Sequence, residues 1–240
     1  MIKERPVPYT HKGKQFEGML AYDDTWTRAM PAVMVSHAWG GRGEFERGRA
    51  RALAQLGYAG FALDLYGAGV LGRDRDENSK LMQPFLKDRA MLQRRMNVAL
   101  DACRSQPEVD EDRVAAIGYC FGGLCVLDLA RSGADVRGVV SFHGLFVPPG
   151  NRAGSNITAR VLALHGNDDP MVPHEQVLSL ADEMSAAGAD WQIHIYGGAM
   201  HAFTNPEAND PDFGTVYNAT VDRRSWQTLE NFLAEILLAA

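Results

Sequence analysis

The sequence predicts an α/β fold with a mostly parallel central sheet flanked by helices. Short runs rich in β-forming residues alternate with segments of helical periodicity along the chain, which is typical of parallel strands joined by helices. The apolar run Ala32–Ser36 fits a strand that is buried on both faces of such a sheet. No repeat, low-complexity segment or linker divides the chain, so residues 1–240 are predicted to form a single domain.

The first elements follow from turn and helix-stop signals. A polar hairpin is predicted between Val7 and about Tyr22, because the Lys12–Lys14 turn separates two short strand candidates. After the apolar strand, a helix of roughly Phe45 to Leu56 is expected to end at Gly57. The next strand is predicted at Tyr58–Tyr66.

A glycine-rich stretch follows this strand and resembles a nucleotide-binding motif. Gly67–Gly72 satisfies Gly-x-Gly-x-x-Gly, but a dinucleotide site needs an apolar helix to begin there. Arg73–Asn78 is heavily charged instead. We therefore interpret the region as a flexible loop and predict no cofactor.

The remaining elements are predicted from apolar stripes at helical spacing and from short β-rich runs. A loop rich in Pro, Gly and Asn is expected up to Ile157. The predicted elements are a long helix from about Gln83 to Cys103, strands at Arg113–Tyr119, Arg137–Phe142, Arg160–Leu164 and Trp191–Tyr196, and helices from Leu124, from about His174 to Ala187, and from about Val221.

Composition narrows the class of protein. The formal net charge is −6 and both signs are interspersed, whereas a nucleic-acid partner requires a basic stripe. The three cysteines form no disulfide framework, and we find no apolar leader and no run that could span a bilayer. We expect a cytoplasmic protein with reduced thiols and no membrane partner.

The sequence around Cys120 has the spacing of a nucleophile elbow, Gly-x-nucleophile-x-Gly. A nucleophile on a sharp strand-to-helix turn needs residues without a β-carbon two positions before and after it, here Gly118 and Gly122. The following helix N-terminus favours a thiolate. The alternative for the motif alone is a buried structural cysteine beside a helix-packing glycine pair.

Other chemically suggestive residues also follow predicted strands. Asp168 and Asp169 come after one strand and His201 after another, and ligands of open α/β sheets bind at the carboxyl ends of the strands. The chain order nucleophile, acid, histidine is that of α/β-hydrolase triads. A cysteine needs a base to become a thiolate, and the base needs an acid to orient it.

Four segments together resemble the dienelactone hydrolase family: Ala62–Gly67, Gly118–Gly123, Gly166–Pro173 and Gly198–Phe203. The resemblance covers nearly the whole chain. It implies the α/β-hydrolase fold without a large cap. It also implies cysteine-dependent hydrolysis of a carboxylic ester or lactone, which we expect to proceed through a thioester acyl-enzyme.

The resemblance also assigns roles to residues. Cys120 matches the nucleophile, His201 the base and Asp169 the acid, since two residues and then Val-Pro follow the family's acid; Asp168 is the alternative. The backbone N–H groups of Phe121 and Trp39 would form the oxyanion hole.

Two positions depart from the family pattern. Ala38 stands where founding members carry a glutamate that contacts the resting cysteine, and Asn205 stands where they carry an arginine that binds the substrate carboxylate. A small dicarboxylate-like dienelactone is therefore not the expected substrate. Arg73 or Arg75 is a candidate for supplying the positive charge, with a solvated loop arginine as the alternative.

Further residues are candidates for substrate contact. His37, Tyr66, His143 and Phe203 lie on or beside the predicted site loops, although each would serve equally as loop-ordering or core residue. His165, His174 and His194 show no metal-ligand spacing, so we predict no metal.

Two other functions stay open at this point. A thioesterase or acyl transferase would use the same triad, and a redox-sensing or binding protein would keep the fold without turnover. The expected partner is a small-molecule ester or lactone, and a homodimer is left open as the assembly.

Overall fold

A central sheet of eight strands runs through the computed structural model, which describes residues 1–151 and 157–238. Its spatial order is β1-β2-β4-β3-β5-β6-β7-β8, and the strands from β4 onward in that order are parallel. The strands are β1 (Ile2–His11), β2 (Lys14–Asp23), β3 (Met30–Ser36), β4 (Ala59–Ala62), β5 (Val109–Tyr119), β6 (Gly138–Phe142), β7 (Arg160–Gly166) and β8 (Trp191–Tyr196). The mostly parallel sheet is as predicted.

Helices cover both faces of the sheet. Alternate residues of β3 show this, because Met34 packs into one apolar cluster and Val35 into the other. Helices α1 and α6 bury their apolar stripes in the second cluster, and α2 to α5 bury theirs in the first. The helices are α1 (Glu44–Gln55), α2 (Arg75–Lys87), α3 (Arg89–Arg104), α4 (Phe121–Arg131), α5 (His174–Ala186) and α6 (Ala219–Leu237). Among the described residues, no helix has the length and apolar character needed to cross a bilayer.

The charged segment after Gly72 differs from its prediction as a flexible loop. It begins helix α2, whose cap is Asp74: its carboxylate accepts the N–H of Glu77 at 2.8 Å. Asp76 and Glu77 in the first turn complement the helix dipole. The charges that suggested a loop are therefore those of a helix N-terminus.

The long helix predicted from Gln83 to Cys103 is two helices in the structure. Asp88 separates them and caps α3 by accepting the N–H of Met91 at 2.8 Å. The predicted strand Tyr58–Tyr66 is also shorter, because only Ala59–Ala62 forms ladder pairs. Of the predicted Pro/Gly/Asn-rich loop, residues 152–156 lie outside the described part of the chain.

A small hairpin absent from the sequence prediction follows the last strand of the sheet. Strands β9 (Asn209–Asp210) and β10 (Thr215–Val216) pair antiparallel, and His201 forms an isolated bridge with Thr215. We call residues 205–217 the flap. Two-residue strands leave no alternating pattern to detect, so the segment resembles a plain loop in sequence.

The elbow has the crowding that its glycines predict. Cys120 lies between β5 and α4 with φ of 56°, in the left-handed region. A β-carbon on Gly118 would lie 2.0 Å from the Gly122 carbonyl oxygen, and one on Gly122 would lie 2.2 Å from the Ser36 oxygen. All these neighbours are backbone atoms of the sheet and helix, so neither position accepts a side chain.

Gly122→Ala is therefore expected to destabilise the protein by about 3 kcal/mol, because backbone must move to admit the methyl group. Urea unfolding would measure the change. Gly197→Ala is the matched control, since a β-carbon there meets nothing within 4 Å. Equal stability of the two variants would contradict the crowding argument.

Candidate active site

Three side chains from different strand ends meet at the carboxyl edge of the sheet. Cys120 follows β5, Asp169 follows β7, and His201 follows β8. Nδ1 of His201 lies 2.7 Å from Oδ2 of Asp169, and both side chains are buried. The other carboxylate oxygen of Asp169 accepts the N–H of Met171 at 2.8 Å. Each carboxylate oxygen of Asp169 thus has a partner, and the bond to Met171 fixes the orientation in which Oδ2 faces the imidazole of His201.

Asp168 occupies a different environment. It is exposed, and its carboxylate accepts the side-chain amide of Asn167 at 2.8 Å. Of the two adjacent aspartates, the structure pairs His201 with Asp169.

The other ring nitrogen of His201 is directed to the cysteine side of the site. Nε2 is buried and makes no hydrogen bond of ordinary geometry to the described residues, while Cys120 and His201 line the same cavity. Burial by itself lowers the pKa of His201, but the Cys120 sulfur and the Asp169 carboxylate more than offset it and raise that pKa to about 10. The site therefore favours an imidazolium beside the sulfur at neutral pH.

Two backbone N–H groups, one directly after Cys120 in the chain and one in a residue that lines the same cavity, make no hydrogen bond to other described residues. One belongs to Phe121, the first residue of α4, where a helix leaves its N–H groups free. The other belongs to Trp39, whose carbonyl accepts the Tyr66 hydroxyl at 2.9 Å. The same loop is held by buried Glu46, which accepts the N–H groups of Ala38 at 3.3 Å and Gly43 at 2.8 Å.

A cavity of about 380 Å³ opens above Cys120. Its walls are mainly apolar, and Glu46, Arg75, His143, Thr204 and Asn205 add polar groups. The apolar wall consists of Ala38, Trp39, Phe45, Met82, Tyr119, Leu145, Met171, Ala202, Ala208 and Phe213. Within residues 1–151 and 157–238, no three His, Cys, Asp or Glu side chains are grouped so that they could hold a metal ion.

The flap closes one side of this cavity. Phe213 stacks on Trp39 with ring centroids 6.0 Å apart. The Arg75 guanidinium lies 4.3 Å from the Phe213 ring centroid and forms an ion pair with Asp210. The first turn of α2 is thereby joined to the flap across the cavity rim.

Comparison with known proteins identifies the family. The model of the dienelactone hydrolase family matches residues 16–237. The chain belongs to the dienelactone hydrolase family.

Solved structures and a curated relative agree with this family. The structure titled m3DLH superposes with a TM-score of 0.93 at 39% identity, over 98% of this chain and 99% of that one. The structure of the dienelactone hydrolase-like promiscuous phosphotriesterase P91, from metagenomic libraries, superposes with a TM-score of 0.92 at 39% identity, over 98% of each chain. A Yersinia pestis protein assigned by name as a carboxymethylenebutenolidase is 27% identical over 93% of this chain and 85% of its own. The fold is the α/β-hydrolase fold, and the protein is an ester or lactone hydrolase of the dienelactone hydrolase type.

The positions at which this family member departs from the family pattern lie on the cavity. Ala38 and Asn205 both line it, and so does Arg75. Arg73 does not line the cavity: its side chain is 85% exposed and is paired with Glu77. Of the two arginines considered, only Arg75 is placed to face a substrate.

Of the further residues expected to contact substrate, only His143 lines the cavity. His37 is buried beneath the loop, where Nε2 accepts the Leu65 N–H at 3.2 Å and Nδ1 donates to the Ala38 carbonyl at 2.7 Å. Tyr66 and Phe203 are also buried behind the wall, the first holding Trp39 and the second packing edge-on against His143. The prediction that His37, Tyr66 and Phe203 contact the substrate directly is therefore wrong. They lie behind the cavity wall and support residues that line it.

Sequence reasoning missed Glu46 and Phe213. Glu46 accepts the N–H of the cap residue Gly43, which is one half of a helix capping box, but glycine lacks the side chain that the other half and the sequence pattern require. Phe213 reaches the cavity through the flap, and its local sequence carries no signal for that position.

Proposed function

We propose that the protein hydrolyses a carboxylic ester or lactone through a thioester acyl-enzyme on Cys120, with His201 as base and Asp169 as acid. The observation that carries the proposal is the 2.7 Å contact of Asp169 with His201, at a cavity that the elbow cysteine also lines. The Cys120 sulfur helps to raise the pKa of the same imidazole. An imidazole oriented by a carboxylate on one nitrogen is free to exchange a proton on the other.

In the acylation step, the Cys120 thiolate attacks the carbonyl carbon of the substrate. A carbon–sulfur bond forms, and the carbonyl electron pair moves onto oxygen. The N–H groups of Phe121 and Trp39 would bind this oxyanion, since neither donates elsewhere among the described residues. When the tetrahedral species collapses, the carbon–oxygen bond breaks and the His201 imidazolium gives its Nε2 proton to the leaving alkoxide.

In the deacylation step, His201 is neutral and takes a proton from water as the water oxygen attacks the thioester carbonyl. The same two N–H groups hold the second oxyanion. Collapse breaks the carbon–sulfur bond, the carboxylic acid leaves, and the thiolate–imidazolium pair is restored. For a lactone, the alcohol released in the first step stays attached to the acyl chain.

The cavity favours an acyl group that is largely apolar. Its walls are mainly hydrophobic, and Asn205 offers an uncharged amide at the position where a carboxylate-binding arginine was expected. Arg75 stands at the rim with its charge already partnered by Asp210. We therefore propose an uncharged ester or lactone, with room for an anionic group only near the rim.

A second candidate activity is the hydrolysis of phosphate triesters. The observation that favours it is the similarity to P91, at 39% identity over nearly the full length of both chains. The thiolate would then attack phosphorus and expel an aryl oxide, and water would cleave the sulfur–phosphorus bond. Thioesters belong to the first candidate, because they deliver the same acyl group to Cys120.

Trapping the covalent intermediate tests both candidates in one experiment. The protein is mixed with an aryl acetate or with an aryl dialkyl phosphate, quenched in acid and analysed by mass spectrometry. We expect one acetyl or one dialkyl phosphoryl group on the peptide that contains Cys120, with the buried Cys103 unmodified. Hydrolysis of the acetate by Cys120→Ala at the wild-type rate would exclude the acyl-enzyme. The adduct needs a free thiol, which suits the reducing, cytoplasmic setting that the sequence predicts.

A further inference from the structure

His143 is a second histidine at the cavity, and its ring lies against that of His201 with centroids 5.2 Å apart. It has no carboxylate partner among the described residues comparable to Asp169. Its exposed fraction is only 2%, and both ring nitrogens are engaged. Its contacts show what it does.

The ring of His143 bridges the two loops that carry Cys120 and His201. The backbone N–H of Cys120 is shared between the Phe142 carbonyl at 3.0 Å and Nδ1 of His143 at 3.2 Å, so Nδ1 accepts one branch of a three-centre bond. Nε2 lies 2.8 Å from Oγ1 of Thr204, three residues after His201. Since a backbone N–H can only donate, Nδ1 must be unprotonated. The ring proton is therefore on Nε2 and is donated to the Thr204 hydroxyl, which fixes a neutral ring in one tautomer.

The backbone on both sides of this bridge is strained. Cys120 has φ of 56° and His143 has φ of 38°, a region that residues with a β-carbon rarely adopt. The bridge joins these two strained positions directly. On the far side, Arg49 donates to the Thr204 carbonyl at 3.1 Å and pairs with Asp222. The Thr204 segment is thus held from both directions.

The charges around His143 oppose its protonation. Burial lowers its pKa well below the ordinary value, and the neighbouring positive groups act in the same direction. The titratable and charged groups facing the ring from the surrounding elements are Tyr119 and Cys120 at the elbow, His201 on its own loop, Arg49 from α1 and His165 from β7. A proton on Nδ1 would face the Cys120 N–H and break the bridge.

We propose that His143 is a positioning residue: its neutral ring ties the Cys120 backbone to Thr204 and so keeps the sulfur and the His201 imidazole in register. It is not the base, because neither nitrogen is available for a proton from substrate or water. This role rests on the proposed function of Cys120 and His201, but it concerns the resting pair and not turnover.

The test is the pH dependence of Cys120 alkylation by iodoacetamide, which reports the thiolate and requires no hydrolysis. Thr204→Val removes the hydroxyl at nearly constant volume, and Thr204→Ser keeps it, so the two form a matched pair at a buried site. We expect the pH midpoint of alkylation to be higher in Thr204→Val and in His143→Phe than in wild type. The midpoint of Thr204→Ser should be lower than that of Thr204→Val. kcat/KM for an activated ester should fall by about tenfold or more in Thr204→Val and His143→Phe, mainly in kcat.

Combining the two substitutions separates the bridge from unrelated damage. The double variant should be no worse than His143→Phe alone, because both changes break one connection. Unchanged alkylation midpoints in Thr204→Val and His143→Phe would overturn the proposal, even if activity fell. Should His143→Phe not fold, the Thr204 pair decides by itself. Full esterase activity of Cys120→Ala would instead overturn the proposed function and leave the alkylation result standing.

Discussion

On the proposed mechanism, replacing Cys120 by alanine is expected to lower kcat/KM for an activated ester by about 10⁵-fold, as in other enzymes that lose their nucleophile. The residual rate would come from binding and from the free N–H groups of Phe121 and Trp39. Steady-state hydrolysis of an aryl ester measures the loss. Because the Cys120 side chain is only half-buried at the cavity floor, its truncation should change stability little.

Cys120→Ser tests why this site carries sulfur. In the proposed mechanism His201 forms a charged pair with a thiolate, and the Cys120 sulfur helps to raise the pKa of His201. A serine hydroxyl is not ionised at neutral pH and depends on a hydrogen bond to the base. We expect the serine variant to lie between wild type and Cys120→Ala, about 10²-fold to 10³-fold below wild type.

Cys103 provides the control for cysteine chemistry elsewhere. It is fully buried in α3, and burial raises the pKa of its thiol to about 12, so it stays protonated. Cys103→Ala should leave hydrolysis and alkylation kinetics unchanged. If Cys120→Ala keeps wild-type activity, or Cys103→Ala loses it, the assignment of the nucleophile is wrong.

The sequence predicts most of the site because its determinants are local. The elbow needs glycines at two fixed positions, and the clashes at Gly118 and Gly122 confirm that need. The meeting of Asp169 and His201 follows from topology, since side chains after parallel strands share one edge of the sheet. The choice between Asp168 and Asp169 rested on resemblance alone, and burial of only the second provides its physical basis.

What the sequence could not predict depends on long-range contacts. The flap consists of two-residue strands, and its ion pair with Arg75 joins it to a residue that is 135 positions away in the chain. The division between α2 and α3 depends on Asp88 acting as a cap, although the apolar stripe continues across it. His37 and His143 look alike in sequence, because each follows the end of a strand. In the structure both are buried, but only His143 lines the cavity, whereas His37 lies behind the wall and orders its loop.

The departures from the family pattern acquire a common meaning in the structure. With Ala38 in the first loop, that position has no carboxylate to contact the resting sulfur. The Glu46 carboxylate accepts two backbone N–H groups instead. His201 is left as the charged partner of Cys120, which is consistent with its raised pKa. The reactivity of the thiol should therefore depend chiefly on whatever controls the protonation of His201.

Asp169→Asn removes the group that most directly controls it, and we expect kcat to fall by about 10³-fold to 10⁴-fold. The asparagine amide can donate to Nδ1, which leaves the neutral imidazole with its proton on Nε2, where it cannot act as a base toward water. Asp168→Asn is the matched control one residue away, since that side chain is exposed and its carboxylate accepts from Asn167; it should retain wild-type kcat.

The pH dependence separates loss of charge from loss of geometry. Asp169 helps to raise the pKa of His201 from 6.5 to about 10, so the imidazolium persists through neutral pH and is lost as pH rises through the upper value. Without the carboxylate that pKa falls, so the imidazolium should be lost at a lower pH. The ring-proton resonances of His201, followed by NMR with pH in wild type, Asp169→Asn and Asp168→Asn, measure this change. A wild-type profile for Asp169→Asn, or a shift of equal size in Asp168→Asn, would remove Asp169 from the triad, since the carboxylate acts on the sulfur only through the charge of His201.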